Sequence, residues 1–478
     1  MTKNVISPFG EPLNEDAKKL IKEIRLKINQ PIHPNFDTDF NIYRFALAAE
    51  KVYKKDKEII SHASKALNNH LRIRKALNLD AEKILNFDEN PIFQKKLMPR
   101  GDISDKCDGH NRLLWYIEYA TITVESIAHS IQSSQACKYQ FWQFEYMLRR
   151  VMEQEEKSGK LSSLRHIIDM NGYEINPFTM LFVTSGTLAY YSQLFHYENY
   201  PELVTPVDMV NIAKWIHVPY KLAKSMMPAG FADKFRLHDN QYLKNLTEDI
   251  PLEYIPTSLG GTDNTYKCIG AEKVEPKDYW TPSNTELVNA LETFHVPARK
   301  TRHITLNLQT AKTLSWYFRT DGDIYFGIFY EDEEEFKSRK ESELNIDALE
   351  MVYPWLKLSA KLVHEMDTLK CERVGRYHIV FCNKHSWISR RNVDFFAQKE
   401  TLSDCILMKL CHPHPFEALN SKRNETSGRE RMATSTKHLD CSYRPPFASS
   451  SSVASSYGLI DNYLSNLHSP SLFTTDNK

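Results

Sequence analysis

Hydrophobic residues change their spacing twice along this 478-residue chain, and each change indicates a different architecture. In residues 14–80 apolar side chains recur every three to four positions, as on one face of a helix. Between residues 85 and 265, short apolar runs alternate with helical stretches, which is typical of an α/β domain with a largely parallel sheet. Over residues 276–397 the period becomes two, which predicts an antiparallel β-sandwich. The Ser-, Thr- and Pro-rich segment 401–478 is interpreted as mostly disordered.

The same patterns predict individual elements. Asn14 should cap a first helix whose apolar face carries Leu20, Ile21 and Ile24. Four apolar runs of the α/β region are predicted as strands: 112–119, 164–170, 207–213 and 252–261. In the sandwich, alternating apolar residues predict strands around 304–308, 314–318, 324–328 and 377–381. The dipeptide Asp321-Gly322 predicts a turn between two of these strands.

Composition limits the classes of partner. The 61 basic and 61 acidic residues cancel, so no nucleic-acid partner is expected and any membrane contact would have to be local. No apolar run approaches the ~20 residues of a membrane span, and the N-terminus lacks the pattern of a secretory signal. Eight cysteines without a CxxC pair agree with a cytoplasmic protein. The motif nearest to a metal site, Cys405 with Cys411, His412 and His414, is too weak to predict a metal.

Signatures of common enzymes are absent. The sequence has no GxGxxG, no GxxxxGK[ST], no GxSxG around Ser185 and no HExxH. His166, inside an apolar strand, is the most tempting general base, but a packed or pocket-lining histidine is favoured because no nucleophile lies near it in the sequence. A hydrolase using Ser185 and His166 is the weakest hypothesis. We expect a binding protein that is not an enzyme and needs no cofactor beyond a bound ligand.

Five motifs occur in the order and spacing of the CRAL-TRIO domain: DKCDGHNRLLWYIEY, IIDMNG, YPELV…MVN, MMPAGFADKF and IPTSLGG. On these motifs the chain resembles that family, which includes phosphatidylinositol/phosphatidylcholine transfer proteins and retinaldehyde- and tocopherol-binding proteins. The helices at 14–80 resemble its N-terminal helical extension. The segments LSWYFRTDGDIYFGIFY and GRYHIVFCNKHSW resemble the GOLD β-sandwich of the supernatant-protein-factor-like group. The resemblance covers about 14–397 and implies binding of a hydrophobic lipid.

The resemblance also implies ligand-binding residues. In members that bind phosphatidylinositol, the Glu of a Tyr-Pro-Glu turn and the Lys of a Lys-Ile pair act at the inositol phosphate. Here these positions are Glu202 and Lys234, with Phe235 in place of the Ile. Members that bind phosphatidylcholine carry hydroxyl residues three and five positions before the Asp of the Asp-x-x-Gly turn. This chain has His166 and Leu164 there, which argues against phosphatidylcholine.

A mobile gate helix over the pocket is implied at about residues 220–227, between Pro219 and the Pro-Ala-Gly segment 228–230. A diacyl lipid has some thirty methylenes, each worth ~0.8 kcal/mol when buried, so a carrier must enclose them and reopen at a membrane. A short helix flanked by proline and glycine, apolar on one face and basic beside it, can do both. Its key residues would be Lys221, Leu222, Lys224, Met226 and Met227. The alternative is an ordinary packed surface helix.

Two functions from different classes follow from these observations. The first is non-enzymatic binding and intracellular transfer or sensing of a hydrophobic lipid, with transient contact with a membrane surface; the ligand is either a phospholipid such as phosphatidylinositol or another hydrophobic small molecule. The second is a protein-interaction adaptor that acts through the GOLD domain and keeps a vestigial pocket. Two departures favour the second: the missing hydroxyl residues, and Arg44-Phe45-Ala46-Leu47 in place of the family's Arg-Phe-Leu-Arg.

Overall fold

A computed structural model of the chain describes residues 8–173, 199–213, 232–282, 288–289, 291–338, 344–400 and 438–439. The described residues fall into two compact units. The first unit lies within Met1–Ile127 and Gln135–Tyr279, and the second within Ala128–Ser134 and Trp280–Tyr443. Each unit is described by itself below.

Three helices open the first unit: α1 (Glu15–Arg25), α2 (Asp39–Glu50) and α3 (Asp56–Ala76). Asn14 caps α1 as predicted, because its side-chain oxygen accepts a hydrogen bond from the Ala17 amide at 2.8 Å. Nothing in the sequence indicated the break between α2 and α3, since this stretch contains neither glycine nor proline. The predicted N-terminal helices are confirmed, but the composition could not predict that α2 and α3 would be separate helices.

Three further helices follow: α4 (Pro91–Gln94), α5 (Val124–Ser130) and the 26-residue α6 (Ser133–Ser158). Arg44 of α2 joins the N-terminal helices to α6. Its Nη2 lies 2.5 Å from Oε1 of the buried Glu155 and donates to the Ser162 carbonyl at 2.8 Å. The N-terminal helices therefore pack as part of the first unit.

Seven short strands belong to the same unit. They are β1 (Arg100–Gly101), β2 (Ile103–Cys107), β3 (Leu113–Glu118), β4 (Leu164–Asp169), β5 (Val204–Val210), β6 (Phe235–Leu237) and β7 (Cys268–Ile269). Five of them form a sheet in the order β2-β3-β4-β5-β6, in which β2 is antiparallel and the other neighbours are parallel. β1 pairs with β7. The predicted α/β domain with a largely parallel sheet is confirmed.

The predicted strand at 252–261 is wrong. The segment forms two 3-10 turns, Leu252–Tyr254 and Thr257–Leu259, and the short helix α7 (Tyr242–Leu246) precedes them. Each turn directly follows a proline, which fixes φ and has no N–H for a sheet ladder. Ile255 and Leu259 of this segment pack instead into a core cluster with residues of β3, β4 and β5, whereas Leu252 is exposed.

From residue 291 onward, the described part of the second unit contains nine strands and the helix α8. They are β8 (Glu292–Val296), β9 (Thr301–Leu308), β10 (Lys312–Thr320), β11 (Ile324–Glu331), α8 (Glu333–Ser338), β12 (Glu350–Leu358), β13 (Glu365–Cys371), β14 (Gly375–Cys382), β15 (Arg391–Glu400) and β16 (His438–Leu439). One sheet has the order β13-β10-β15-β8 and the other β12-β11-β14-β9-β16, and every pair is antiparallel. The predicted antiparallel β architecture is confirmed.

Aromatic rings join these two sheets. Phe318 of β10 lies 4.9 Å from Phe326 of β11 and 5.3 Å from Phe381 of β14, measured between ring centroids. Asp321-Gly322 does connect two strands, but β10 and β11 belong to different sheets, so the turn crosses between sheets and closes no hairpin. Apart from β16, the segment 401–478 lies outside the described residues, so its predicted disorder stays a prediction.

Candidate functional site

Glu202 occupies a strained turn just before the central strand β5. Its backbone φ is 57°, in the left-handed region that costs a residue with a Cβ roughly 1–2 kcal/mol. The residue is 0% exposed. A buried charge on a strained backbone persists only where the surrounding structure fixes it, and such outliers are common at functional sites.

Two lysines from distant segments converge on this carboxylate. Lys51, the residue after α2, places its Nζ 2.8 Å from both oxygens of Glu202. Lys234, at the end of the 3-10 turn Ala232–Lys234, places its Nζ 3.2 Å from Oε1. The three residues are called the Glu202 cluster here. The structure brings the predicted pair Glu202 and Lys234 together and adds Lys51, which lies 151 positions from Glu202 in sequence and has no motif to reveal it.

Burial and ion pairing oppose each other in the Glu202 cluster. Burial alone would raise the pKa of Glu202, but the ammonium groups of Lys234 and Lys51 outweigh it and hold the pKa below its ordinary value. Burial lowers the pKa of Lys234, which is only 6% exposed, and Glu202 opposes that shift. Two lysine ammonium groups thus meet at one buried carboxylate, and lysine is a residue type that also binds phosphate.

Tyr200 anchors the turn that carries Glu202. Its hydroxyl donates to Oε1 of Glu145 on α6 at 2.5 Å, and Arg74 of α3 holds the same carboxylate oxygen at 2.6 Å. Burial, followed by the nearby negative charge of Glu145, raises the pKa of Tyr200 well above its ordinary value. The phenol therefore stays protonated and fixes the turn as a hydrogen-bond donor.

A second buried ion cluster lies at strands β4 and β5 and was not predicted. Arg165 places Nε 2.7 Å from Asp208 and Nη1 3.3 Å from Asp108, and also contacts Asp249. The remaining members are Arg112, 2.7 Å from Asp108, and His238, whose Nε2 lies 2.7 Å from Asp208. These six residues are called the Arg165 cluster. In the sequence, this cluster was indicated by one charged residue inside each of two apolar strands, Arg165 in β4 and Asp208 in β5.

His166 and Leu164 lie on the same face of β4, because alternate strand residues point the same way. Both are buried, and the His166 ring stacks on Trp115 of β3 with centroids 3.9 Å apart. Burial lowers the pKa of His166 to about 3, so the imidazole is neutral near pH 7. Neither ring nitrogen has a hydrogen-bond partner within the described part of the chain. This is the packed histidine that the sequence favoured over a general base; its contact with a lipid stays a prediction.

The remaining sequence-predicted site residues fall outside the described residues. They are the five of the gate helix, Lys221, Leu222, Lys224, Met226 and Met227, together with Ser185 of the disfavoured hydrolase hypothesis. In the ranges that the structure describes, no group of His, Cys, Asp and Glu side chains is arranged to hold a metal ion. Within those same ranges, no helix combines the length and apolar character needed to cross a membrane.

Comparison with known proteins divides the chain into three matched regions. A model for a domain of unknown function (DUF8435) matches residues 13–82, the CRAL/TRIO domain model matches residues 103–261, and a model described as an F28H7_8_C-like C-terminal domain matches residues 278–404. The last description does not mention GOLD. The matched CRAL/TRIO segment contains Glu202 and Lys234, whereas Lys51 lies in the first region.

A curated relative and a solved structure extend this comparison. The CRAL-TRIO domain-containing protein F28H7.8 of Caenorhabditis elegans is 24% identical over 397 residues, which cover 81% of this chain and 91% of the relative. The crystal structure of Sfh5 covers 57% of this chain and 93% of its own, at 15% identity and a TM-score of 0.36. The family model and the relative's name agree with the five motifs and with the largely parallel sheet. Residues 103–261 of this chain therefore form a CRAL-TRIO domain.

Proposed function

We propose that this protein binds a single hydrophobic lipid, an inositol phospholipid in particular, and transfers or senses it in the cytoplasm without catalysing a reaction. CRAL-TRIO domains generally bind lipids or other small hydrophobic ligands. Acyl chains need enclosure, because each methylene exposed to water costs ~0.8 kcal/mol. The domain match therefore supports the hydrophobic part of the ligand.

The Glu202 cluster is the observation that supports an anionic headgroup. Lys51 and Lys234 share the single carboxylate of Glu202 at 2.8 and 3.2 Å. A phosphodiester carries one negative charge, which both ammonium groups would attract. Lysine binds phosphate as a point charge, and a charged hydrogen bond of this kind contributes about 1.5–3 kcal/mol. Glu202 would then orient the lysines and accept hydrogen bonds from inositol hydroxyls.

The proposal that the protein is not an enzyme rests on His166. A general base needs a pKa near the working pH and a partner within hydrogen-bond reach. The pKa of His166 is about 3, and its imidazole nitrogens have no hydrogen-bond partner among the described residues. This arrangement supports binding without chemistry at that position.

The C-terminal sheets support a related proposal. We infer that residues 276–397 adopt a GOLD-type sandwich, since four- and five-stranded antiparallel sheets are joined by an aromatic core. A protein-interaction adaptor acting through this domain is the competing function. It makes the opposite prediction for the CRAL-TRIO domain, which would then load no lipid.

Native mass spectrometry of the purified full chain tests the general proposal. We expect one lipid per protein, either co-purified or loaded from vesicles. Failure to find or load any lipid would contradict lipid binding and favour the adaptor.

Transfer of phosphatidylinositol between vesicles tests the headgroup. Lys234→Ala should weaken phosphatidylinositol binding by about 1.5–3 kcal/mol, because it removes the more deeply buried ammonium group. The fold should survive, since Lys51 still pairs with Glu202. Lys106→Ala is the matched control, because Lys106 forms an ion pair with Asp263 in the same domain at 3.3 Å. Equal phosphatidylinositol transfer by wild type and Lys234→Ala would eliminate the inositol assignment but not lipid binding in general.

A further inference from the structure

Two neighbouring loops at one end of the C-terminal sheets carry an exposed apolar pair. Trp387 is 46% exposed and Ile388 is 69% exposed, and they are consecutive in the loop between β14 and β15. The described part of the second unit has only one other large apolar side chain this exposed, Val374, which lies at the start of β14 and so at its opposite end. An adjacent tryptophan and isoleucine in water lose the free energy that burial would provide.

Hydrogen bonds of Asn383 hold the two loops together. Asn383, fully buried, exchanges backbone hydrogen bonds with the loop between β8 and β9: the Arg299 amide donates to its carbonyl at 3.0 Å, and its own amide donates to Lys300 at 2.9 Å. Its side-chain amide also donates to the carbonyls of Val296 at 3.1 Å and Ser389 at 2.9 Å. These hydrogen bonds fix the base of the loop whose tip is formed by Trp387 and Ile388.

A tight turn sets Trp387 and Ile388 at the tip. The Ser386 hydroxyl donates to the Ser389 carbonyl at 2.7 Å, and the Ser389 amide donates back to that hydroxyl at 3.2 Å. The Arg299 guanidinium lies 3.8 Å from the centroid of the Trp387 ring. This cation–π contact orients the ring while leaving nearly half of the side chain in water.

Basic residues surround this tip. The two loops read PARK (297–300) and NKHSWISR (383–390), with four Lys or Arg residues and no Asp or Glu. The adjoining turn between β10 and β11 contributes two carboxylates. Asp323 forms an ion pair with Lys357 at 3.3 Å, and Asp321 accepts hydrogen bonds from the backbone and side chain of Asn392. The single negative charge of Asp321 is smaller than the four positive charges of the two loops, so the surface next to the tip keeps a net positive charge.

We propose that this loop pair docks the protein on an anionic phospholipid bilayer, with Trp387 and Ile388 inserted at the interface and Arg299, Lys300 and Arg390 on the lipid phosphates. Tryptophan concentrates at membrane interfaces, and basic residues near an anionic surface add about 1 kcal/mol each, or roughly fivefold in binding. A specific protein interface needs about 800 Å² on each partner, whereas a two-residue tip is suited to insertion between headgroups. This proposal does not depend on which ligand the CRAL-TRIO domain holds.

Vesicle flotation of the full-length protein tests it, with phosphatidylcholine vesicles compared with vesicles containing 30% phosphatidylserine. We expect binding to the anionic vesicles that weakens between 0.1 and 0.5 M salt. Trp387→Ser/Ile388→Ser should reduce it at least tenfold, and Arg299→Glu/Arg390→Glu at least twenty-fivefold. Val374→Ser and Lys370→Glu, exposed positions of the same unit, should bind like wild type.

Two further measurements make the outcome decisive. Brominated lipids should quench tryptophan fluorescence in wild type and lose most of that effect in Trp387→Phe, while native mass spectrometry should find lipid loading unchanged in every loop variant. Circular dichroism checks that these surface variants remain folded. Equal vesicle binding by folded loop variants and controls would overturn the proposal. Binding to an acidic polypeptide but not to anionic vesicles would replace the bilayer with an acidic protein partner.

Discussion

The two buried ion clusters of the first unit differ in the cations that build them. In the Arg165 cluster, two guanidinium groups and an imidazole face three carboxylates, and Arg165 itself contacts all three. In the Glu202 cluster, two lysine ammonium groups contact one carboxylate. Arginine therefore dominates the first arrangement and lysine the second.

Arginine presents a planar fork that holds several carboxylates in fixed geometry, while lysine is a point charge on a flexible stem that can exchange one anion for another. Buried charges must be paired, so an arginine network of this kind contributes to the fold, whereas lysines at a single carboxylate suit the exchange of an anionic ligand. Burial alone therefore does not identify a functional charge; the type of cation distinguishes the two clusters.

The largest expected effect comes from breaking the Arg165 cluster. Arg165→Met would leave Asp208 buried without its guanidinium partner, which should reduce the free energy of unfolding by about 3–5 kcal/mol. Urea denaturation of the full chain measures this loss. Arg319→Met provides the control: Arg319 forms a partly exposed ion pair with Asp394 at 2.6 Å, and its loss should cost no more than about 1 kcal/mol. Equal losses in the two variants would show that the Arg165 cluster does not stabilise the fold.

A smaller loss is expected from Glu202→Gln, about 2–3 kcal/mol, because it removes the negative charge that the buried Lys234 contacts, while Lys51 can turn towards water. The difference from the Arg165 cluster should appear on adding ligand. Phosphatidylinositol should raise the melting temperature of Glu202→Gln more than that of wild type, since its phosphate replaces the missing charge. Glu58→Gln, on the exposed face of α3, is the control. Loss of stability without any such recovery would make this cluster purely structural.

Lowering the pH should remove the contribution of the Glu202 carboxylate to stability, with a still smaller change in the free energy of unfolding. The pKa of Glu202 in the folded protein lies below its ordinary value of 4.5, so the folded state holds fewer protons than the unfolded state. Its contribution to stability is fully present above pH 4.5 and is lost as pH falls through the lowered pKa. The stability difference between wild type and Glu202→Gln should therefore shrink below pH 4.5. A difference that stays constant from pH 6 to pH 3 would contradict this pairing.

Apolar periodicity predicted those elements whose side chains alternate simply between core and solvent or lie fully within the core. Strands β3, β4, β10 and β11 are of this kind, and each appears where the sequence placed it. The segment 252–261 was misjudged because its apolar residues suggested a strand, whereas the prolines at 251 and 256 impose turns.

The clusters illustrate what sequence cannot supply. Glu202 and Lys234 were named from the family resemblance, since nothing in their spacing reveals a contact. Arg165 and Asp208 were visible as charges in apolar runs, but pairing them requires the register of the parallel strands, which aligns Ile167 with Asp208. Lys51 had no signal at all, because only the packing of α2 beside the turn before β5 brings it to Glu202.

Lys51→Ala should give the smallest effect. Its comparison with Lys234→Ala tests whether the more deeply buried lysine of the Glu202 cluster contributes more. The Lys51 side chain is 29% exposed, and Lys234 remains 3.2 Å from Glu202 when Lys51 is removed. We expect a loss of at most about 1 kcal/mol in the free energy of unfolding, as for partly exposed ion pairs. Phosphatidylinositol loading should fall less than in Lys234→Ala, since water screens the more exposed ammonium group. Lys55→Ala, an exposed lysine four residues away, should change neither quantity. If Lys51→Ala instead weakened loading more than Lys234→Ala, the headgroup would approach from the α2 side, and Lys234 would serve mainly to hold Glu202 in its strained turn.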